Sequence, residues 1–118
     1  MKKVLIIEDE DIVRDLIKKK LIENGYEVIT AENGKIGIEK IKEAPDLILL
    51  DVIMPVMGGF EVLEKMKEEE ISIPVVIVSN SGQPVEINKA KALGVKDWIV
   101  KTEFDPDEVL KKVVEQIG

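Results

Sequence analysis

The apolar runs of this chain constrain its fold more than any other feature, because four of the five are apolar at every position. They are Val4-Leu5-Ile6-Ile7, Leu47-Ile48-Leu49-Leu50, Val75-Val76-Ile77-Val78 and Trp98-Ile99-Val100. A strand covered on one face alternates apolar with polar residues. A strand covered on both faces does not, and that burial is the rule in parallel sheets. The remaining run, Tyr26-Glu27-Val28-Ile29-Thr30, carries polar residues at Glu27 and Thr30 and predicts an edge strand.

Helical patterns separate the runs. Ile12, Val13, Leu16, Ile17 and Leu21 form one stripe, ended by Asn24-Gly25. Ile38 and Ile41 mark a second helix, with Asn33 as its N-cap. Phe60, Leu63 and Met66 mark a third after Gly58-Gly59, which reads as a tight turn. Pro84 suits the first turn of a fourth helix, ended by Gly94. Asp105-Pro106-Asp107-Glu108 predicts a capping box before Val109, Leu110, Val113, Val114 and Ile117. The order is (βα)5, which predicts an α/β domain, doubly wound around a five-stranded parallel sheet, over residues 1–118.

Composition narrows the chemistry. The 118 residues include no cysteine and no histidine, which excludes thiol catalysis, disulfide scaffolds and any site that needs imidazole. With 24 acidic and 17 basic residues the net charge is −7, the wrong sign for direct binding to nucleic acid. No apolar run is long enough to span a membrane, and Met1-Lys2-Lys3-Val4 shows no signal-peptide pattern. The expectation is a cytoplasmic protein.

The polar residues that follow the strands form a constellation. Glu8-Asp9 follow the first strand, Asp51 the third, Ser79-Asn80-Ser81 the fourth, and Lys101 the fifth. In an open parallel sheet, ligands bind beyond the carboxyl ends of the strands where the strand order reverses. With the order 2-1-3-4-5, Glu8, Asp9 and Asp51 converge there, flanked by Ser79 and Lys101. At about 4 Å and an effective dielectric near 20, each like-charged pair costs on the order of 4 kcal/mol. Lys101 offsets part of this. A hard, oxygen-ligated dication, Mg²⁺, is the natural remainder.

Ile6-Ile7-Glu8-Asp9-Glu10, Leu49-Leu50-Asp51-Val52-Ile53-Met54-Pro55, Val78-Ser79 and Val100-Lys101 resemble the response-regulator receiver domain of two-component signalling, and the resemblance covers the whole chain. It implies a flavodoxin-like fold and a phosphoacceptor signalling domain, not an enzyme acting on a separate substrate. Asp51 would take a phosphoryl group from the histidine of a sensor kinase or phosphotransfer protein. Asp9 and Asp51 would ligate Mg²⁺ directly, the Ile53 carbonyl would be a third ligand, and Glu8 would act through water. Ser79 would hydrogen-bond the phosphoryl group and Lys101 would pair with it. Trp98 holds the switch-aromatic position. The face made by the fourth helix, fifth strand and fifth helix, with Ile87, Lys91, Asp97, Trp98, Lys111 and Lys112, would bind a downstream target or output domain or form a phosphorylation-dependent dimer. The absence of histidine agrees with a donor on the partner.

Departures from the family pattern sharpen the expectations. Thr102 stands where proline is usual, so the Lys101–Thr102 peptide is expected to be trans. Asn80 replaces a small residue, and Trp98 is bulkier than the usual Tyr or Phe. A haloacid-dehalogenase-type phosphohydrolase needs a second aspartate at the position of Ile53. A flavodoxin needs a phosphate loop where Glu8, Asp9, Glu10 and Asp11 would repel the ligand. The alternative that keeps every residue is a receiver-fold interaction module that works without phosphorylation.

Overall fold

The computed structural model describes residues 1–80, 82–101 and 105–118. The strands are β1 (Lys3–Ile7), β2 (Glu27–Ala31), β3 (Leu47–Leu50), β4 (Val75–Ser79) and β5 (Asp97–Val100). The helices are α1 (Asp11–Glu23), α2 (Gly34–Ile41), α3 (Gly59–Glu68), α4 (Pro84–Ala92) and α5 (Pro106–Ile117). The strands form one parallel sheet in the order β2-β1-β3-β4-β5. Fold class and strand order are those expected from the sequence. The expectation of a trans Lys101–Thr102 peptide lies outside the described residues, as does Ser81.

Successive strand residues point to opposite faces, and this divides the interior into two cores. Leu5, Ile7, Ile48, Leu50 and Ile77 face Ile41, Val62, Leu63, Met66 and Ala90 of α2, α3 and α4. Val4, Ile6, Leu47, Leu49, Val76 and Val78 face Ile17 and Leu21 of α1 and Val109 and Val113 of α5. Burying each such side chain contributes about 1.5–3 kcal/mol, so β1, β3 and β4 need an apolar residue at every position. The run in β5 has the same look for another reason. By its place in the sheet β5 is an edge strand, and Asp97, Trp98 and Val100 are only half-buried.

Helix ends follow the local signals. The Asn33 side chain accepts from Ile36 N at 2.9 Å, Asp105 Oδ1 accepts from Asp107 N at 2.9 Å, and Gly25 and Gly94 have positive φ of 88° and 92° beyond α1 and α4. Two expectations need correction. The α1 stripe is narrower than its periodicity suggests. Ile17 and Leu21 are buried and Val13 is half-buried, but Ile12 and Leu16 are 77% and 44% exposed. Nor is Gly58-Gly59 a turn that needs glycine's special dihedrals: Gly58 caps α3 with φ −78° and Gly59 is already helical. Gly59 is required by proximity, since a Cβ there would lie 2.3 Å from the Asp51 carbonyl oxygen. The start of α3 therefore packs directly against the backbone of the third strand's end.

Candidate functional site

The strand ends carry the site because backbone pairing continues one residue past β1 and β3. Glu8 N donates to Ala31 O at 3.0 Å and Asp51 N donates to Ile7 O at 2.9 Å. These bonds hold Glu8 and Asp51 in extended, adjacent backbone. Gly59 N donates to Val52 O at 2.8 Å and Gly34 N to Met57 O at 3.1 Å, which ties the segment after Asp51 to α3 and α2. Within it Val56 has φ 69°, a left-handed conformation that strains a β-branched residue. The Glu8 carbonyl accepts from Arg14 Nη1 at 2.9 Å.

Lys101 lies at the centre. Its Nζ is 2.8 Å from Glu8 Oε1, 2.9 Å from Glu8 Oε2, 3.1 Å from Asp51 Oδ2 and 3.4 Å from Glu10 Oε1. The residues Glu8, Asp51 and Lys101 are 2%, 4% and 8% exposed. The Asp9 and Glu8 carboxyls lie beside Asp51. Burial, the Glu8 charge and the neighbouring Asp9 carboxyl push the Asp51 carboxyl up to about 8, with Lys101 opposing. Burial lowers the Lys101 ammonium, but its bond to Glu8 and the charges of Asp51 and Glu8 outweigh that and raise it above the usual lysine value.

This donor set suits a hard dication. Glu8, Asp9 and Glu10 each present a carboxylate oxygen within 4.8 Å of the others. Glu8 Oε1 is buried and, although it lies 2.8 Å from Lys101 Nζ, has no hydrogen-bond partner among the described residues. An inward-facing carboxylate oxygen with unused lone pairs, among further carboxylates, has the chemistry Mg²⁺ requires.

The structure brings Glu8, Asp9, Asp51 and Lys101 together. Ser79, the last residue of β4, is buried and pairs in register with Val100, one residue before Lys101. Ile53 lies in the loop after β3 with 73% of its surface exposed. Trp98 sits within β5, in register with Ile77, and packs against the first core. Glu10 was missed as a member of the site. The acidic run Glu8-Asp9-Glu10-Asp11 hinted at it, but nothing local distinguishes Glu10, which reaches Lys101, from Asp11, which pairs with Arg14.

Comparisons place this geometry among known proteins. Residues 4–114 match the model of the response regulator receiver domain. The chain is 38% identical over 113 residues to the chemotaxis protein CheY of Bacillus subtilis, covering 94% of this chain and 93% of that protein. It is 33% identical to the alkaline phosphatase synthesis transcriptional regulatory protein PhoP of the same organism, covering 95% of this chain but only 47% of PhoP, so it spans about half the length of that relative. Among solved structures, the response regulator protein TrrA of Thermotoga maritima, in complex with Mg(2+)-BeF, superposes with a TM-score of 0.86 at 30% identity, covering 99% of this chain and 100% of that one. A receiver match over nearly the whole chain, joined to acidic groups and a lysine at the matching strand ends, makes this chain a member of the response regulator receiver domain family.

Proposed function

We propose that the chain is a phosphoacceptor of two-component signalling in which Asp51 receives a phosphoryl group from the phosphohistidine of a sensor kinase or phosphotransfer protein. The carrying observation is the buried Asp51 carboxylate, 3.1 Å from Lys101 Nζ, at the carboxyl end of a central strand. An Asp51 oxygen forms a bond to phosphorus as the P–N bond to the donor imidazole breaks. The imidazole leaves and takes up a proton from solvent, and the product is an aspartyl phosphate. Transfer of this kind depends mainly on positioning and on neutralising the phosphoryl oxygens.

Lys101 supplies one of the positive charges, and Ser79 is the hydroxyl at the neighbouring strand end. Glu8, Asp9, Asp51 and the Ile53 carbonyl would hold Mg²⁺, which when bound neutralises charge on the transferring group. The Mg(2+)-BeF complex of the related TrrA supports this reading. Ile53, two residues past the acceptor, has no group that could orient water, so the adduct hydrolyses slowly, and Ile53→Asn should accelerate its loss. Phosphorylation is read out on the α4-β5-α5 face, with Ser79 and Trp98 as the responding residues and a target protein, output domain or second copy as partner. A cytoplasmic location fits a domain in which, among the described residues, no helix is long and apolar enough to cross a membrane.

The test is Mg²⁺-dependent labelling by acetyl phosphate. An acid-stable, hydroxylamine-labile adduct at Asp51 that disappears in Asp51→Asn supports the proposal. No adduct under saturating donor would instead favour a phosphorylation-independent interaction module.

A further inference from the structure

Lys101 has three N–H donors, and among the described residues three carboxylate side chains surround it: Glu8, Asp51 and Glu10. The ammonium is fully subscribed, so an arriving anion must replace one of the three. Their release differs in cost. The Glu8 and Asp51 side chains are 2% and 5% exposed, and either one, if let go, would remain buried without its counter-charge. The Glu10 side chain is 47% exposed and makes the longest contact, 3.4 Å, so it can turn into water. Glu10 is also uncommitted to the helix it precedes. It occupies the N-cap position of α1, yet its side chain makes no cap hydrogen bond, while its backbone N–H is anchored to Glu8 Oε2 at 3.1 Å.

From this juxtaposition we infer that Glu10 is a positioning residue. It holds Lys101 while no phosphoryl group is present and competes with incoming phosphoryl oxygens for the ammonium. Glu10 thereby sets how readily small anionic donors enter the site. The inference rests on Asp51 being the phosphoacceptor. For acetyl phosphate, the P–O bond to Asp51 forms as the P–O bond to acetate breaks and acetate leaves. Release of Glu10 from Lys101 precedes that step without altering it.

The test compares initial rates of Asp51 labelling of the full chain by acetyl phosphate at saturating Mg²⁺. Glu10→Gln keeps the length of the side chain and removes its charge. Its half-saturating donor concentration should fall about 1.4- to fivefold, the range spanned by partly exposed ion pairs, with the maximal rate unchanged. Glu10→Asp keeps the charge but shortens the arm, and it should behave like Glu10→Gln because direct contact with Lys101 is lost. A change confined to half-saturation is not what a loosened fold produces, and the melting temperatures of the three proteins should lie within a few degrees of one another, the shift a contact of this size can cause. The inference is overturned if Glu10→Gln and wild type saturate alike, or if Glu10→Asp matches wild type. If the wild type takes no label at Asp51, the phosphoacceptor reading fails and this inference fails with it.

Discussion

The fifth strand has a lysine–carboxylate contact at each end. At its carboxyl end Lys101 meets Glu8 at 2.8 Å and Asp51 at 3.1 Å, with the lysine side chain 4% exposed. At its amino end Asp97 meets Lys112 at 2.7 Å, with both side chains 32% exposed. The atoms and distances are nearly the same, but the consequences are opposite. Around Lys101 the carboxylates outnumber the cation and water is excluded, so Asp51 is pushed up to about 8. At Asp97 burial pulls upward, but the bond to Lys112, the backbone N–H of Trp98 and the charges of Lys112 and Lys91 together outweigh it, and the carboxyl falls below its ordinary value. A short distance between opposite charges therefore does not establish a stabilising pair. The number of charges sharing the site, and their access to water, decide the outcome.

Removing each lysine gives the largest expected effect and the sharpest break between the two ends. Lys101→Met leaves buried carboxylates without their cation and should cost about 3–5 kcal/mol at neutral pH. The loss should shrink toward pH 5, where carboxyls can take up protons instead. Urea unfolding at the two pH values measures both numbers, and a pH-independent loss below 1 kcal/mol would remove the argument.

The pH dependence should also differ in sign. The folded Asp51 value lies above its unfolded value of 3.8, so the native state holds that proton more tightly. Its contribution is fully present below about pH 4 and is lost as pH rises toward 8. The stability of wild type minus that of Asp51→Asn, measured across this window without metal, should fall with rising pH. Asp97 works in reverse: its contribution is present above pH 3.8 and is lost as pH falls through its depressed folded value.

Mg²⁺ should act on one end only. A ligand that binds only the native state adds about 2.7 kcal/mol at a hundredfold excess over Kd, and the melting temperature of the wild type should rise accordingly. Asp9→Asn should blunt that rise while stabilising the metal-free protein by relieving repulsion. An unchanged melting temperature across millimolar Mg²⁺ would count against the metal site.

The smallest effect belongs to the half-buried pair, Asp97 and Lys112. Lys112→Ala should cost only about 0.2–1 kcal/mol, and less at high salt. It should also remove the acid limb contributed by Asp97. A loss as large as that in Lys101→Met would show that burial is not what separates the two ends.

Much of this was legible in the residues themselves. Uninterrupted apolar runs marked β1, β3, β4 and β5, and the residues after β1, β3 and β5 supplied Glu8, Asp9, Asp51 and Lys101 as neighbours in the site. Those signals are local: side-chain period, capping residues, and the polar residue that follows a strand. Other features were not legible, because each depends on what another segment does. The sequence could not say that Ile12 and Leu16 would lie outside the narrow contact of α1 with the sheet. Nor could it say that Gly59 is needed because the Asp51 carbonyl sits where a Cβ would go. Glu10 and Asp11 are equally acidic neighbours, and only the arrival of Lys101, 91 residues away from Glu10, gives the first a place in the site. Residue types determined which charges stand at the strand ends. Their tertiary approach decided which ones share a cation and which reach water, because Coulomb energy and desolvation depend on distance and burial, not on order along the chain.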